Sequence, residues 1–142
     1  MATLYDRSFD ASKTSLEVVN IESDTVSSNI LINLNCGEHH LDFKFLVLRS
    51  DLIMLHTLIL NNWDELLEAE VWDSTDPSFS FAILANNSDL IDEQIYQFQF
   101  WIDAGEYNSH RATRSGIGIT IYQDRKSIEE FALQIKKNLI RI

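Results

Sequence analysis

Cysteine occurs once, proline once and glycine four times in 142 residues. One cysteine excludes an intrachain disulfide framework, and so little proline and glycine excludes collagen-like and linker-like chains. Basic residues are scarce too: 11 Lys and Arg stand against 22 Asp and Glu, for a formal charge of −11. Nucleic acid, itself a polyanion, is therefore not an expected ligand. Long hydrophobic runs are missing. Leu52 to Leu60 is the longest apolar stretch; it holds His56 and Thr57 and is too short to cross a bilayer. The first residues, Met-Ala-Thr-Leu-Tyr-Asp-Arg-Ser-Phe-Asp, show neither the basic n-region nor the apolar h-region of a signal peptide. The lone Cys36 suits a reducing compartment. These absences predict a cytoplasmic protein with no membrane partner.

Apolar residues make up 45% of the chain, enough to fill a core, so a disordered acidic tail is excluded. The length fits a single domain over 1–142. Internal repeats and low-complexity segments are missing, but charge divides the chain. Residues 1–110 carry a net −15 and residues 111–142 a net +4. One end is a strong anion and the other a mild cation.

Periodicity gives the elements in order. Leu16 to Ile21 reads as a first strand, although its length leaves a helix open. Ile30, Ile32 and Leu34 alternate with Leu31, Asn33 and Asn35, and Leu41, Phe43, Phe45 and Val47 alternate again. Asn35-Cys36-Gly37-Glu38 between them supplies turn chemistry, so a hairpin is predicted. The period then changes. Ser50 or Asp51 caps a helix to about Leu60, with Leu52, Leu55, His56 and Ile59 as its main stripe. Ile53, Met54, Leu58 and Leu60 leave it almost no polar face, so it is either buried on most sides or presents apolar surface to a partner. Strand patterns return at Leu67, Ala69 and Val71, at Phe79, Phe81 and Ile83, at Tyr96, Phe98, Phe100 and Ile102, and at Ile117, Ile119 and Ile121. Residues Asp73–Ser78, with Pro77, and Asn86–Asp89 read as turns, and Ala104 to Ser115 as a polar loop. Ser127 and Glu130 fit a capping box that opens a last helix with Ile128, Phe131, Ala132, Ile135 and Leu139 on one face. The expected class is α+β: a largely antiparallel sheet of about six or seven strands, with two helices packed on one face.

No arrangement in the sequence calls for catalysis. Glu38-His39-His40-Asp42 contains metal-ligand chemistry, but adjacent histidines on a strand point to opposite faces, so an ordinary polar hairpin is the better reading. Cys36 has His39 nearby, yet Glu38 and Asp42 make its surroundings negative, the wrong setting for a thiolate. Gly116-Ile-Gly118 lacks the third glycine, lysine and following helix of a phosphate loop. His110, Arg111 and Arg114 before it read as a solvated basic loop rather than an anion site. Acids are so numerous that a glycosidase-like pair carries no information. No Ser-His-Asp arrangement, nucleophile elbow or HExxH is present. The expectation is a non-enzyme with no metal and no cofactor.

The acidic run is more informative. Asp64, Glu65, Glu68, Glu70, Asp73 and Asp76 fall in one short stretch. If Leu67, Ala69 and Val71 face the core, then Glu68, Glu70 and Trp72 face outward. If Tyr96, Phe98, Phe100 and Ile102 face the core, then Trp101 and Asp103 face outward too. The predicted partner-binding residues are Asp64, Glu68, Glu70, Trp72, Asp73, Asp76, Trp101, Asp103 and Glu106. Tryptophans among carboxylates suit a protein-binding surface, because indoles supply desolvated contact area while the charges steer a basic partner. The alternative is that the acids only keep the protein soluble, or that the N-terminal segment covers this face.

The order of elements from about residue 40 to 142 resembles the WapI-type immunity proteins of bacterial toxin systems. The resemblance rests on Phe43-Lys-Phe-Leu-Val47 leading into the helix from Asp51, then Ala69-Glu-Val71 and Phe79-Ser-Phe-Ala-Ile83. Phe98-Gln-Phe-Trp-Ile-Asp103, Gly116-Ile-Gly-Ile-Thr-Ile121 and Ser127-Ile-Glu-Glu-Phe131 follow. It implies a cytoplasmic protein that neutralises a cognate toxin domain, commonly basic, by stoichiometric sequestration and without catalytic residues. Two other classes stay open: an interaction module, monomeric or homodimeric through the apolar helix or the outward tryptophan face, and a small-molecule binder or small enzyme with a pocket lined by Phe79, Phe98 and Phe100.

Overall fold

The computed structural model describes residues 1–68, 71–74, 79–86, 94–102 and 117–140. The fold is α+β, but its strands form two sheets rather than one. The first sheet holds β1 (Ala2–Tyr5), β2 (Ser15–Ser23), β3 (Ser27–Cys36) and β4 (His39–Leu48) in that order. The second holds β5 (Trp72–Asp73), β6 (Phe79–Asn86), β7 (Ile95–Ile102) and β8 (Ile117–Gln123). All pairings are antiparallel. The helices are α1 (Phe9–Ser12), α2 (Arg49–Asn61), α3 (Trp63–Glu68) and α4 (Arg125–Ile140).

Alternation sets the first sheet. Ala2, Leu4, Leu16, Val18, Ile30, Ile32, Leu34 and Val47 are buried on its inner face. Successive side chains point to opposite faces, so Glu17, Asn33 and Asp42 share the outer one through their register, where Asn33 Nδ2 donates to Glu17 Oε2 at 3.0 Å. The β3–β4 hairpin turns at Gly37, whose φ of +63° costs a glycine nothing. The expected first strand exists as β2, and β1 precedes it. β1 escaped the periodicity because it offers only four residues, one of them the small Ala2.

The second sheet is aromatic inside. Phe79 stacks on Phe100 with ring centroids 5.5 Å apart, and Phe81 on Phe98 at 6.0 Å. Phe98 meets Phe131 of α4 edge-on at 5.9 Å, which ties this sheet to the helix layer. α4 also lies against β1 and β2, and α2 packs on α4. One contiguous apolar cluster therefore runs through both sheets and the helices α2, α3 and α4.

Three boundaries move. The strand expected at Leu67, Ala69 and Val71 is not formed at its start, because Leu67 belongs to α3. Trp63 and Leu66, three apart, are both buried, and a helical period satisfies both where a strand would turn one outward. At the last helix the cap is Asp124, not Ser127: Asp124 Oδ1 accepts from the backbone N–H of Ser127 at 2.8 Å. The predicted apolar face of that helix holds, with Ile128, Phe131, Ala132, Ile135 and Leu139 all buried. The predicted stripe of α2 holds as well, while Ile53 and Met54 stay exposed. The sequence's candidate cap residues Ser50 and Asp51 lie inside α2, which begins at Arg49 after the extended Leu48.

The two sheets meet at Asp6. Its Oδ1 accepts from the backbone N–H of Tyr122 in β8 at 2.9 Å. Its Oδ2 accepts from Ser8 N at 3.0 Å and Ser12 Oγ at 3.2 Å. The Arg7 N–H donates to Tyr122 O at 2.8 Å, and Gln123 Nε2 donates to Tyr5 O at 3.0 Å. A carboxylate thus stands where the next backbone carbonyl of a ladder would be.

His56 of α2 is buried, and desolvation, helped by the positive charge of Lys136 on α4, holds its imidazole below the usual histidine range. The unfolded chain therefore takes up this proton first as the pH falls below ~6.5. The contribution of a neutral His56 to stability is complete above that pH and is lost as the pH falls toward its folded-state value. Replacing His56 by Leu removes this component: the stability difference between pH 7 and pH 5, measured by urea denaturation, is expected to shrink relative to the parent chain.

Candidate functional site

The acidic stretch divides between α3 and β5. In α3, Trp63 and Leu66 point inward and Asp64, Glu65 and Glu68 are exposed. Asn62 Nδ2 donates to Glu65 Oε2 at 3.1 Å beside the start of the helix, where the dipole also favours carboxylates. The Trp63 indole meets Tyr96 edge-on at 5.0 Å and lies under the Arg125 guanidinium, 4.9 Å from the ring centroid. Arg125 also pairs with Glu129 at 3.0 Å. Arg125 at the start of α4 is thus engaged with Trp63 and its own helix, and the exposed carboxylates of α3 face solvent.

The structure does not bring the two outward tryptophans together. Trp72 sits opposite Phe81 in the β5–β6 register, on the inner face. Its ring is 5.2 Å from that of Phe81 and 5.7 Å from that of Phe79. The expectation that Trp72 points outward fails because it extended a strand parity from Leu67, and the end of α3 at Glu68 resets that parity. Asp73 is the outward residue of β5, and Ser80 Oγ donates to its Oδ1 at 2.6 Å.

Trp101 does lie on the outer face. Cross-strand register places Asp73, Ser80, Trp101 and Gly118 in one row across the four strands. The half-buried indole of Trp101 reaches over Gly118: a Cβ there would sit 2.4 Å from Trp101 Cδ1, so only a hydrogen fits beneath the ring. Gly118, read from sequence as a merely small position, makes room for the aromatic group. Exposed Leu84 and Tyr122 flank Gln97 four residues along the same face. Glu70, Asp76, Asp103 and Glu106 lie outside the described residues, as do Pro77, Asn87–Asp89, Ala104–Ser115 and the basic loop residues His110, Arg111 and Arg114.

The histidine pair separates as strand geometry requires. His40 Nδ1 is hydrogen-bonded to Asn35 Oδ1 on the outer face of the first sheet. His39 instead lines a cleft of about 250 Å³ with Thr14, Leu34, Cys36, Leu41 and the β8 residues Ile117 to Thr120. Thr14 Oγ1 lies 3.7 Å from Cys36 Sγ, as donor to it, and 3.3 Å from Ser12 O. Apart from His39 the lining is uncharged, so the cleft's chemistry is that of apolar contact with a few weak polar groups. Sequence reasoning missed it because its walls come from three distant parts of the chain. The pocket expected around Phe79, Phe98 and Phe100 is filled by those rings themselves, all buried in the core. Among the described residues no three His, Cys, Asp or Glu side chains stand close enough to share an ion, and no helix is long and apolar enough to cross a membrane.

Gly118→Ala is expected to drive the Trp101 ring off the sheet, at a cost of about 1–3 kcal/mol in stability as in other overpacked sites. Denaturant titration measures that cost, and a red-shifted tryptophan emission reports the displaced ring. No protein-family model matches the chain, and neither a curated protein nor a solved structure is significantly similar to it.

Proposed function

We propose that this chain is a non-catalytic binding protein of the cytoplasm, an immunity-type inhibitor that sequesters a basic toxin domain one to one. The observation that carries this reading is the set of exposed carboxylates on α3, Asp64, Glu65 and Glu68, with the exposed Asp73 of β5 next in the chain. The net charge of −11 adds a long-range field of the same sign. Such a field raises the encounter rate with a cationic partner, and an aromatic anchor then supplies contact area. Trp101 is the tryptophan available for that role, since Trp72 packs inward. The element order that resembles WapI-type immunity proteins supports the same reading.

The cleft beside Cys36 and His39 favours a second reading, a small apolar ligand. The two differ in what salt does. Steered binding weakens with ionic strength, whereas apolar occupancy of a cleft does not. Tagged protein from its native cells is expected to retain a basic protein at low salt and to lose it at high salt. Asp64→Lys with Glu68→Lys is expected to slow association with that protein by about tenfold or more at low salt, measured by stopped-flow or surface plasmon resonance. An unchanged association rate would remove α3 from the interface.

A further inference from the structure

β4 ends the first sheet, and among the described residues no strand pairs with its second edge. It is ten residues long and its pairing to β3 has no bulge. Long flat edges are rare in soluble proteins unless something covers or blunts them, since each presents a row of open backbone donors and acceptors. This edge is also apolar on its inner side: Leu41 is 45% exposed, and Phe43 and Phe45 are only half-buried. On its outer side Leu46 is 56% exposed.

The turn fixes which backbone groups are open. Cys36 pairs with His39 across the two-residue turn Gly37-Glu38. A tight hairpin of that length closes on a hydrogen-bonded pair, and antiparallel ladders alternate from there. Leu41, Phe43, Phe45 and Val47 therefore spend their backbone groups on β3, and His40, Asp42, Lys44 and Leu46 turn theirs to the free edge.

We infer that this edge is the interface of a homodimer, in which β4 pairs antiparallel with β4 of a second copy about a two-fold axis at Phe43. Open groups must meet open groups, which restricts the registers to alternate ones. A shift one step toward the turn sets Asp42 against Asp42, and one step the other way sets Lys44 against Lys44. The register centred on Phe43 sets Asp42 opposite Lys44 twice, once on each side of the axis. On the inner face it sets Phe43 against Phe43 and Leu41 against Phe45, which covers the exposed Leu41. On the outer face it sets Leu46 beside His40. A lone lysine on an edge strand ordinarily discourages pairing; here the strand carries its own counter-charge two residues away. The two sheets join into one of eight strands, with both helix layers on the same side. This interface lies on the first sheet and does not depend on the acidic-partner reading, which concerns α3 and the second sheet.

Sedimentation equilibrium of the full chain over a range of concentrations tests it. The parent chain is expected to dimerise. Asp42→Lys places lysine against lysine at two points and is expected to weaken the dimer by at least about tenfold. Asp42→Lys combined with Lys44→Asp restores both opposite-charge pairs and is expected to restore dimerisation. Circular dichroism confirms that each variant stays folded. A parent chain that remains monomeric at millimolar concentration, or a dimer that Asp42→Lys leaves intact, overturns the inference. So does a double exchange that fails to recover the loss while remaining folded.

Discussion

A buried carboxylate holds the two halves of this protein in register. Asp6 stands between the last residue of β1 and the first turn of α1, and spends its oxygens on Tyr122 of β8, Ser8 and Ser12. Taking a charge out of water is costly unless it is hydrogen-bonded, and here three donors supply that. The same residue donates its own backbone N–H to Thr14 O, which starts β2 on its path. One side chain thus sets where the first sheet meets the second, and so where the inner faces of both converge on α4. The apolar cluster explains why the fold is stable; Asp6 explains why two four-stranded sheets adopt one relative position.

That position determines which surfaces remain for binding. The inner faces are covered by α2, α3 and α4; exposed are the polar outer face of the first sheet with the open edge of β4, the acidic side of α3 and, on the outer face of the second sheet, Leu84 and Tyr122, while Ser80 and Ala82 of that face are buried. Each offers different chemistry. The outer face around Trp101 is aromatic and polar, α3 is anionic, and β4 offers backbone groups beside apolar side chains. The cleft between β8 and the β3–β4 hairpin carries a single titratable ring with a thiol.

The sequence made the regular parts legible because hydrophobic periodicity is local. The β3–β4 hairpin, the strand of Phe98 and Phe100, and the apolar faces of α2 and α4 all follow from spacing within a dozen residues. What stayed hidden depends on distant contacts. A division into two sheets cannot be read from strand patterns, and neither can the joint between them, where Asp6 reaches Tyr122, 116 positions away. α3 was hidden because Leu67, Ala69 and Val71 mimic a strand, and only the joint burial of Trp63 and Leu66 decides for a helix. That one misread element carried Trp72 to the wrong face. Trp101 was placed on the correct face because its own strand is long enough to fix its parity. The role of Gly118 depends on a ring in the neighbouring strand, which no local pattern reveals.

Both sheets form one cooperative unit joined at Asp6, and native-state amide hydrogen exchange tests that most directly. The slowest amides of β3 and of β7 are expected to exchange with the same opening free energy in the parent chain. In Asp6→Ala the Tyr122 amide is expected to lose its protection, and the β7 amides to open more easily than those of β3. If β3 and β7 already exchange with different free energies in the parent chain, or if Asp6→Ala leaves the Tyr122 amide protected, the joint is not what unites the fold.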